Sequence, residues 1–328
     1  MNISQSIYSK GATARYKIQV KLFKTFVPFN FNPMVLVITC SIISAIFFAI
    51  AAVIQQFKAS LQGENLNLHL SLIGKLLKQP MWLLGIGSSL AGFIFQAVAL
   101  LKGSLALVQP LLVLGVVFAL PISARFIHKR AMTPKEWVAS FFVASGLIAF
   151  LLVAQARGGS RVAGLHTWII IISSTAVVSI AIILMSRRAK ISSRSTMQAT
   201  AAGLINGLAA AFTKEVTHNL YMNYKGSHNI FTSMIKEAYS WEFIALIIDY
   251  AIVLFLVQSA FQGDQIGWSL PALTVSNPVI SLIIGVAGFK ESINTSGFQV
   301  FLETLFLLVS IYGIFLLAKL PSYNGEQT

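Results

Sequence analysis

The sequence predicts an all-α membrane protein of about nine transmembrane helices, and three observations carry that prediction. The 328 residues are 56% hydrophobic and only 10% charged, where an ordinary soluble domain has about 25% charged residues. Mean hydropathy is +0.78. The apolar residues gather in runs of about 20, the length an α-helix needs to cross a hydrocarbon core of about 30 Å. Alternating segments of about ten residues, the mark of a membrane β-barrel, are absent.

The runs lie at 34–56, 81–101, 104–127, 136–156, 164–187, 197–218, 240–261, 268–289 and 298–318. Before them, residues 1–33 are polar and basic (Lys10, Arg15, Lys17, Lys21, Lys24) with no acidic residue. The run that follows is too long for a signal peptide and has no small-residue cleavage pattern behind it. Met34 opens the first run, so one expectation is that residues 1–33 are absent from the mature protein. The rival is a retained basic tail with a cytoplasmic N-terminus, and intact mass decides between them. Residues 34–320 form the membrane domain and 321–328 a short C-terminal tail. Two connections hold short amphipathic pieces, LHLSLIGKLLKQ at 68–79 and IFTSMIKEAYS at 230–240. Each reads either as a helix lying in the lipid interface or as a surface loop with one helical turn.

The formal charge of +14 does not form a stripe interleaved with aromatics. The cations sit between apolar runs, so they read as topology signals and no nucleic-acid partner is expected. A lone cysteine, Cys40, excludes a disulfide framework and a cysteine-based metal site. The five histidines, His69, His128, His166, His218 and His228, have no ligand spacing. No HExxH or GxSxG motif supports an enzyme and no GxxxxGK[ST] supports ATP drive, so neither metal nor cofactor is expected.

LVQPLLVLG (107–115) and TVSNPVISL (274–282) both set an amide before a proline inside an apolar run. Gln109-Pro110 and Asn277-Pro278 align at an offset of 168, Gln96 meets Gln258 at 162, and AIAAVIQQ (49–56) meets GLAAAFTK (207–214) at 158. Ordered matches of this kind indicate a duplicated unit. Residues 34–156 form one four-helix repeat and 197–318 the other, with 164–187 an unpaired fifth helix between them. Five crossings separate equivalent helices, so the repeats are inverted across the membrane. Transporters built this way bind solute near the midplane at interrupted helices. With the first run starting outside, inner segments hold 12 Lys and Arg and outer ones 7, tail excluded. The positive-inside rule then places the C-terminus in the cytoplasm; counting the tail makes the tally even.

Each proline removes a donor and frees the carbonyl four residues earlier, at Ala106 and Thr274. Within a bilayer that carbonyl needs a protein, water or ligand partner. One reading makes Gln109, Asn277 and Thr274 solute-binding notches at helix breaks set by Pro110 and Pro278. The other has the amides serve neighbouring helices while the prolines set a bend. Gln96 and Gln258 are either interhelical glue or binding residues. Asp249, in IALIIDYAIVLF, places a carboxylate near mid-bilayer. Such a group costs about 2.5–3.5 kcal/mol and marks a proton- or cation-coupling candidate, its alternative being a protonated or paired structural group. Lys214-Glu215, with repeat counterpart Gln55-Gln56, adds further candidates. Adjacent helix residues do not face each other, so at most one of each pair is expected to point inward, and a snorkelling lysine is the alternative. Glu303 is expected at the interface.

GSLALVQPLLVLGVVFALPISARF (103–126), EWVASFFVASGLIAFLLVA (136–154), GLINGLAAAFTKEVTH (203–218) and SLPALTVSNPVISLIIGVAGFKES (269–292) together resemble the drug/metabolite transporter superfamily, in particular an EamA-like bacterial branch. Lys290-Glu291 stands where that family often has Gly-Glu. The resemblance covers about residues 34–318 and implies a ten-helix fold that here lacks its first helix. It further implies a secondary transporter of a small organic solute in the cytoplasmic membrane, with a homodimer among the assemblies it allows. NIPA-type magnesium transporters look like a related nine-helix version. They carry an acidic residue in the helix corresponding to 81–101, where this chain has Ser88 and Ser89. A divalent-cation carrier and a non-transporting accessory membrane protein are the alternatives.

Overall fold

The computed structural model describes residues 33–62, 67–127, 129–154, 164–262, 266–291 and 297–318. The basic tail, apart from Pro33, and the C-terminal tail lie outside the described residues. The described chain is helical: α1 (Pro33–Ser60), α2 (Leu70–Leu76), α3 (Pro80–Lys102), α4 (Leu105–Leu112), α5 (Leu114–Ile122) with a π-turn (Ser123–Ile127), α6 (Pro134–Ala154), α7 (Leu165–Ser186), α8 (Ile191–Ser227), α9 (Ile230–Ala238), α10 (Trp241–Gln262), α11 (Ile266–Ala287) and α12 (Gly297–Ala318). Among the described residues, six segments are long and apolar enough to cross a membrane: α1, α3, the α4–α5 run Leu105–Ile127, α7, α10 and Gly297–Leu316 of α12. The chain is a multi-pass helical membrane protein. The long helices α6, α8 and α11 overlap the other three apolar runs.

Local chemistry sets several boundaries. Thr133 and Glu136 form a capping box, with Glu136 Oε2 accepting from Thr133 N at 2.6 Å and Thr133 Oγ1 from Glu136 N at 3.3 Å. Pro134 stands in the first turn, where a missing N–H costs nothing. The Arg130 guanidinium holds the same carboxylate in a two-pronged pair. Ser104 Oγ accepts from Leu107 N and starts α4.

The two proline sites differ. After Pro110 the helix is interrupted at Val113, where Val113 N bonds Pro110 O and Val116 N bonds Val113 O. Around Pro278, α11 runs unbroken. The expected break is thus present after Pro110 and absent at Pro278.

Helix α8 runs on to Ser227, where the sequence suggested an end near 218. Polar Asn219, Asn223 and Lys225 lower the hydropathy without breaking the helix, and His228, at φ 50°, is what ends it.

Packing follows a pattern. Helix α1 lies on α3, α4 and α5; α8 lies on α10 and α11; α7 packs on α8; and α6 packs on α12. The α6–α12 crossing is close enough to require glycine on both sides. A Cβ at Gly146 would lie 2.5 Å from Ser310 N and 2.8 Å from Phe306 O, and one at Gly313 would lie 2.6 Å from Val143 N and 2.9 Å from Ala139 O. Adding 167 to Ala139, Val143 and Gly146 gives the positions of Phe306, Ser310 and Gly313.

The largest apolar cluster lies where α3, α4, α7, α8, α10 and the end of α11 meet, with Trp168 stacked on Phe212.

Candidate functional site

Two buried polar clusters lie at opposite ends of α3, which at about 1.5 Å per residue is about 34 Å long. The first gathers around Gln258 of α10, which is fully buried. Its Nε2 donates to Gln55 Oε1 at 2.7 Å, and its Oε1 accepts from Trp82 Nε1 at 3.2 Å. Gln55 Nε2 donates to Ser89 Oγ at 2.9 Å. Beside it, Asn67 exchanges amide hydrogen bonds with Gln198 and donates to Ser259 O at 2.8 Å. That ties the α1–α3 connection across α8 and α10. In α2, Leu72 and Leu76 bury completely with Trp82, so this amphipathic piece turns its apolar side to the protein.

The second cluster is built on Glu291, just past α11. Its Oε1 accepts from Leu105 N at 2.8 Å and its Oε2 from Ala106 N at 3.0 Å, so the carboxylate caps the donor-rich start of α4. The Lys214 ammonium pairs with the same carboxylate and lies 4.6 Å from the centre of the Phe289 ring. Two backbone features aim Glu291 inward. The chain leaves α11 through a turn in which Glu291 N bonds Gly285 O and Lys290 takes φ 52°. At Gly285 a Cβ would lie 2.5 Å from Glu291 Oε2, so only glycine leaves room for the carboxylate. Next to it, Glu215 Oε2 accepts from Trp168 Nε1 at 2.7 Å.

The expectation that at most one member of each adjacent pair points inward is corrected here. Lys214 and Glu215 are both buried, as are Gln55 and Gln56. Helix α8 is enclosed on several sides, so Lys214 reaches the α4 start while Glu215 reaches α7. A pair buried at both ends does not snorkel. Glu303, expected at the interface, is likewise buried, and its Oε1 has no hydrogen-bond partner.

Among the remaining candidates, Gln109 is only 1% exposed and both of its amide atoms lack a hydrogen-bond partner. Asn277 is half-buried, with Oδ1 accepting from Ser281 Oγ at 3.3 Å. The segments bearing the two amides, α4 and α11, pack together, but no hydrogen bond joins the amides. Against α8, α11 crosses closely: a Cβ at Gly207 would lie 3.0 Å from Asn277 O. Asp249 is buried on α10 beside the Ala209 backbone of α8, with Oδ2 unpartnered. One turn along α8, Thr213 meets the neighbouring Tyr250. Gln96 is buried in α3, Thr274 is half-buried in α11, and the Gln56 Nε2 has no partner. No group of three His, Cys, Asp or Glu side chains that could hold a metal ion occurs among the described residues.

Glu291, Trp82 and Trp168 anchor these clusters without having been singled out as site residues. For Glu291 the signal was present in Lys290-Glu291, an acid directly behind an apolar run. The tryptophans gave none beyond their places at helix starts.

No protein-family model matches the chain. No solved structure matches it either. Over 285 residues, 87% of this chain and 95% of the relative, it is 25% identical to an uncharacterized protein of Corynebacterium glutamicum.

Proposed function

We propose that the protein is a secondary transporter of a small organic solute in the cytoplasmic membrane, working by alternating access of two inverted repeats, 34–156 and 197–318. The observation that carries the reading is the reciprocal α6–α12 contact. One shift of 167 residues maps its two halves onto each other, close to the 168 that aligns Gln109-Pro110 with Asn277-Pro278. Such self-complementary contact is what a two-fold axis between related units produces. The drug/metabolite transporter resemblance, with an EamA-like membrane domain and a cytoplasmic C-terminus, agrees with that architecture.

Both polar clusters join the repeats. Gln55 and Trp82 of the first repeat hold Gln258 of the second. At the far end, Leu105 and Ala106 of the first hold Glu291 of the second. Rocking one repeat on the other opens one cluster while the other stays closed, which is alternating access. Between the ends lie Gln109, with an unused amide, and Asp249, with one unused carboxylate oxygen. Gln109 is the solute-binding candidate and Asp249 the proton- or cation-coupling candidate. Gln96, Thr274 and Asn277 are secondary candidates.

Reconstitution into proteoliposomes with a panel of amino acids, nucleosides, cationic drugs and Mg²⁺ tests the reading. Saturable movement of one organic solute is expected, with Asp249→Asn removing its dependence on a pH gradient. Folded protein that neither moves nor binds any panel member favours an accessory role. Movement of Mg²⁺ alone favours the cation carrier. Unchanged pH coupling in Asp249→Asn ends the role given to that residue.

A further inference from the structure

Helix α9 is built the wrong way round for a water-exposed surface. Ser233 and Glu237 are buried against α8, where Asn223 Nδ2 donates to Glu237 Oε2 at 3.3 Å and Ser233 Oγ lies 2.9 Å from Ser227 Oγ. The apolar side chains face out: Phe231 is 69% exposed, Met234 54%, Ile235 61% and Tyr239 82%. In α2 the polarity is the reverse, with Leu72 and Leu76 wholly buried. Pairings 227–233 and 223–237 make α9 run antiparallel to the last turns of α8, forming a helical hairpin capped by Asn229 Oδ1 on Phe231 N and Thr232 N.

The depth of this hairpin follows from its neighbours. At about 1.5 Å per residue the 37 residues of α8 extend about 55 Å, well beyond a hydrocarbon core of about 30 Å. Where α10 begins, Trp241 packs edge-on against Trp168 and Phe212 at 5.8 and 6.0 Å. Tyr221, with Lys102 over its ring at 5.3 Å, lies further out along α8. Tryptophan and tyrosine collect at the headgroup level, so the hairpin rises from that level, with Tyr239 nearest to it and Phe231 nearest to the tip. Directly after it in the chain, Trp241, Ile244, Ile247 and Ile248 are exposed along a helix long and apolar enough to cross a membrane. Lys225 and Lys236 stand exposed beside it.

We propose that the α8–α9 hairpin docks on the bilayer surface, burying Phe231, Met234, Ile235 and Tyr239 in the headgroup boundary of a leaflet containing anionic lipid. An apolar face flanked by cations is the composition that binds such a surface, with insertion of about 5–10 Å. This inference does not depend on the transport reading.

The test uses the full chain in vesicles of phosphatidylcholine and phosphatidylglycerol, with Cys40→Ser as background. A polarity-sensitive fluorophore is placed on Phe231→Cys, and separately on Ile235→Cys so that one poorly folding variant does not end the experiment. Gly226→Cys at the hairpin tip is the control. The expected result is blue-shifted emission at 231 and 235, lost to quenchers near the acyl carbonyls and little affected by quenchers at chain ends. The tip should give water-like emission. Water-like emission at 231 and 235 overturns the proposal, and so does efficient cross-linking of these cysteines between two copies, which would make the face a protein interface.

Discussion

At the scale of single residues, the Glu291 carboxylate serves two backbone donors of α4 and the Lys214 ammonium at once. Lys214 and Glu291 are 5% and 3% exposed, so removing one partner strands a buried charge, at a cost of about 3–5 kcal/mol. Lys214→Met is therefore expected to lower thermal stability sharply, and Lys214→Met/Glu291→Gln to recover part of the loss. If the double variant is as unstable as the sum of the singles, the two groups are not coupled. Lys290 gives a prediction of the opposite sign. It holds φ 52°, a conformation that costs an L-residue about 1–2 kcal/mol, and glycine avoids that cost. Against this, glycine is more flexible in the unfolded chain. Lys290→Gly is expected to raise the melting temperature slightly, and a fall would show that the lysine side chain makes a contact of its own.

Single elements were legible in the sequence to the extent that hydropathy controls them. The long apolar runs coincide with helices, and both amphipathic pieces are helical. The direction each amphipathic helix faces was not legible, because periodicity marks an apolar side without saying what covers it. The same limit applies to the candidate site. Gln55, Gln258, Lys214 and Asp249 stood out as costly polar residues in apolar runs and are indeed buried. Glu291 could be given no role, because the α4 backbone it caps lies 186 residues away in the chain. In the α8–α9 hairpin, Glu237 is held above the usual carboxylate range. Burial is the main cause and Glu242 a further one, against the lowering effects of Ser240, Asn223 and Lys236. A raised folded-state pKa means the ionised form destabilises the hairpin. That cost is absent below the unfolded value near 4.5 and grows to its full size as pH rises through the folded pKa. Glu237→Gln should then increase hydrogen-exchange protection of α9 at neutral pH and leave it unchanged in acid. Equal gains at both pH values would mean that ionisation of Glu237 is not the cause.

For the whole molecule, the proposed inverted repeat makes a claim about equivalence that stability measurements can reach. Gly146 and Gly313 occupy matching places in one contact, and a Cβ on either would run into backbone atoms of the opposite helix at 2.5–2.9 Å. In a helix, Gly→Ala normally gains about 1 kcal/mol. Here the helices must part instead, and overpacking of this kind costs about 1–3 kcal/mol. Gly146→Ala and Gly313→Ala should therefore both destabilise, by similar amounts. The double variant should lose less than the sum, because a single separation of α6 from α12 relieves both clashes. Gly87, which has nothing within 4 Å of a built Cβ, is the control, and Gly87→Ala should be neutral or stabilising in the same thermal assay. If the two contact glycines tolerate alanine as Gly87 does, the close crossing is absent in the membrane. If only one is sensitive, the contact is not reciprocal, and the two-fold relation on which alternating access rests loses its support.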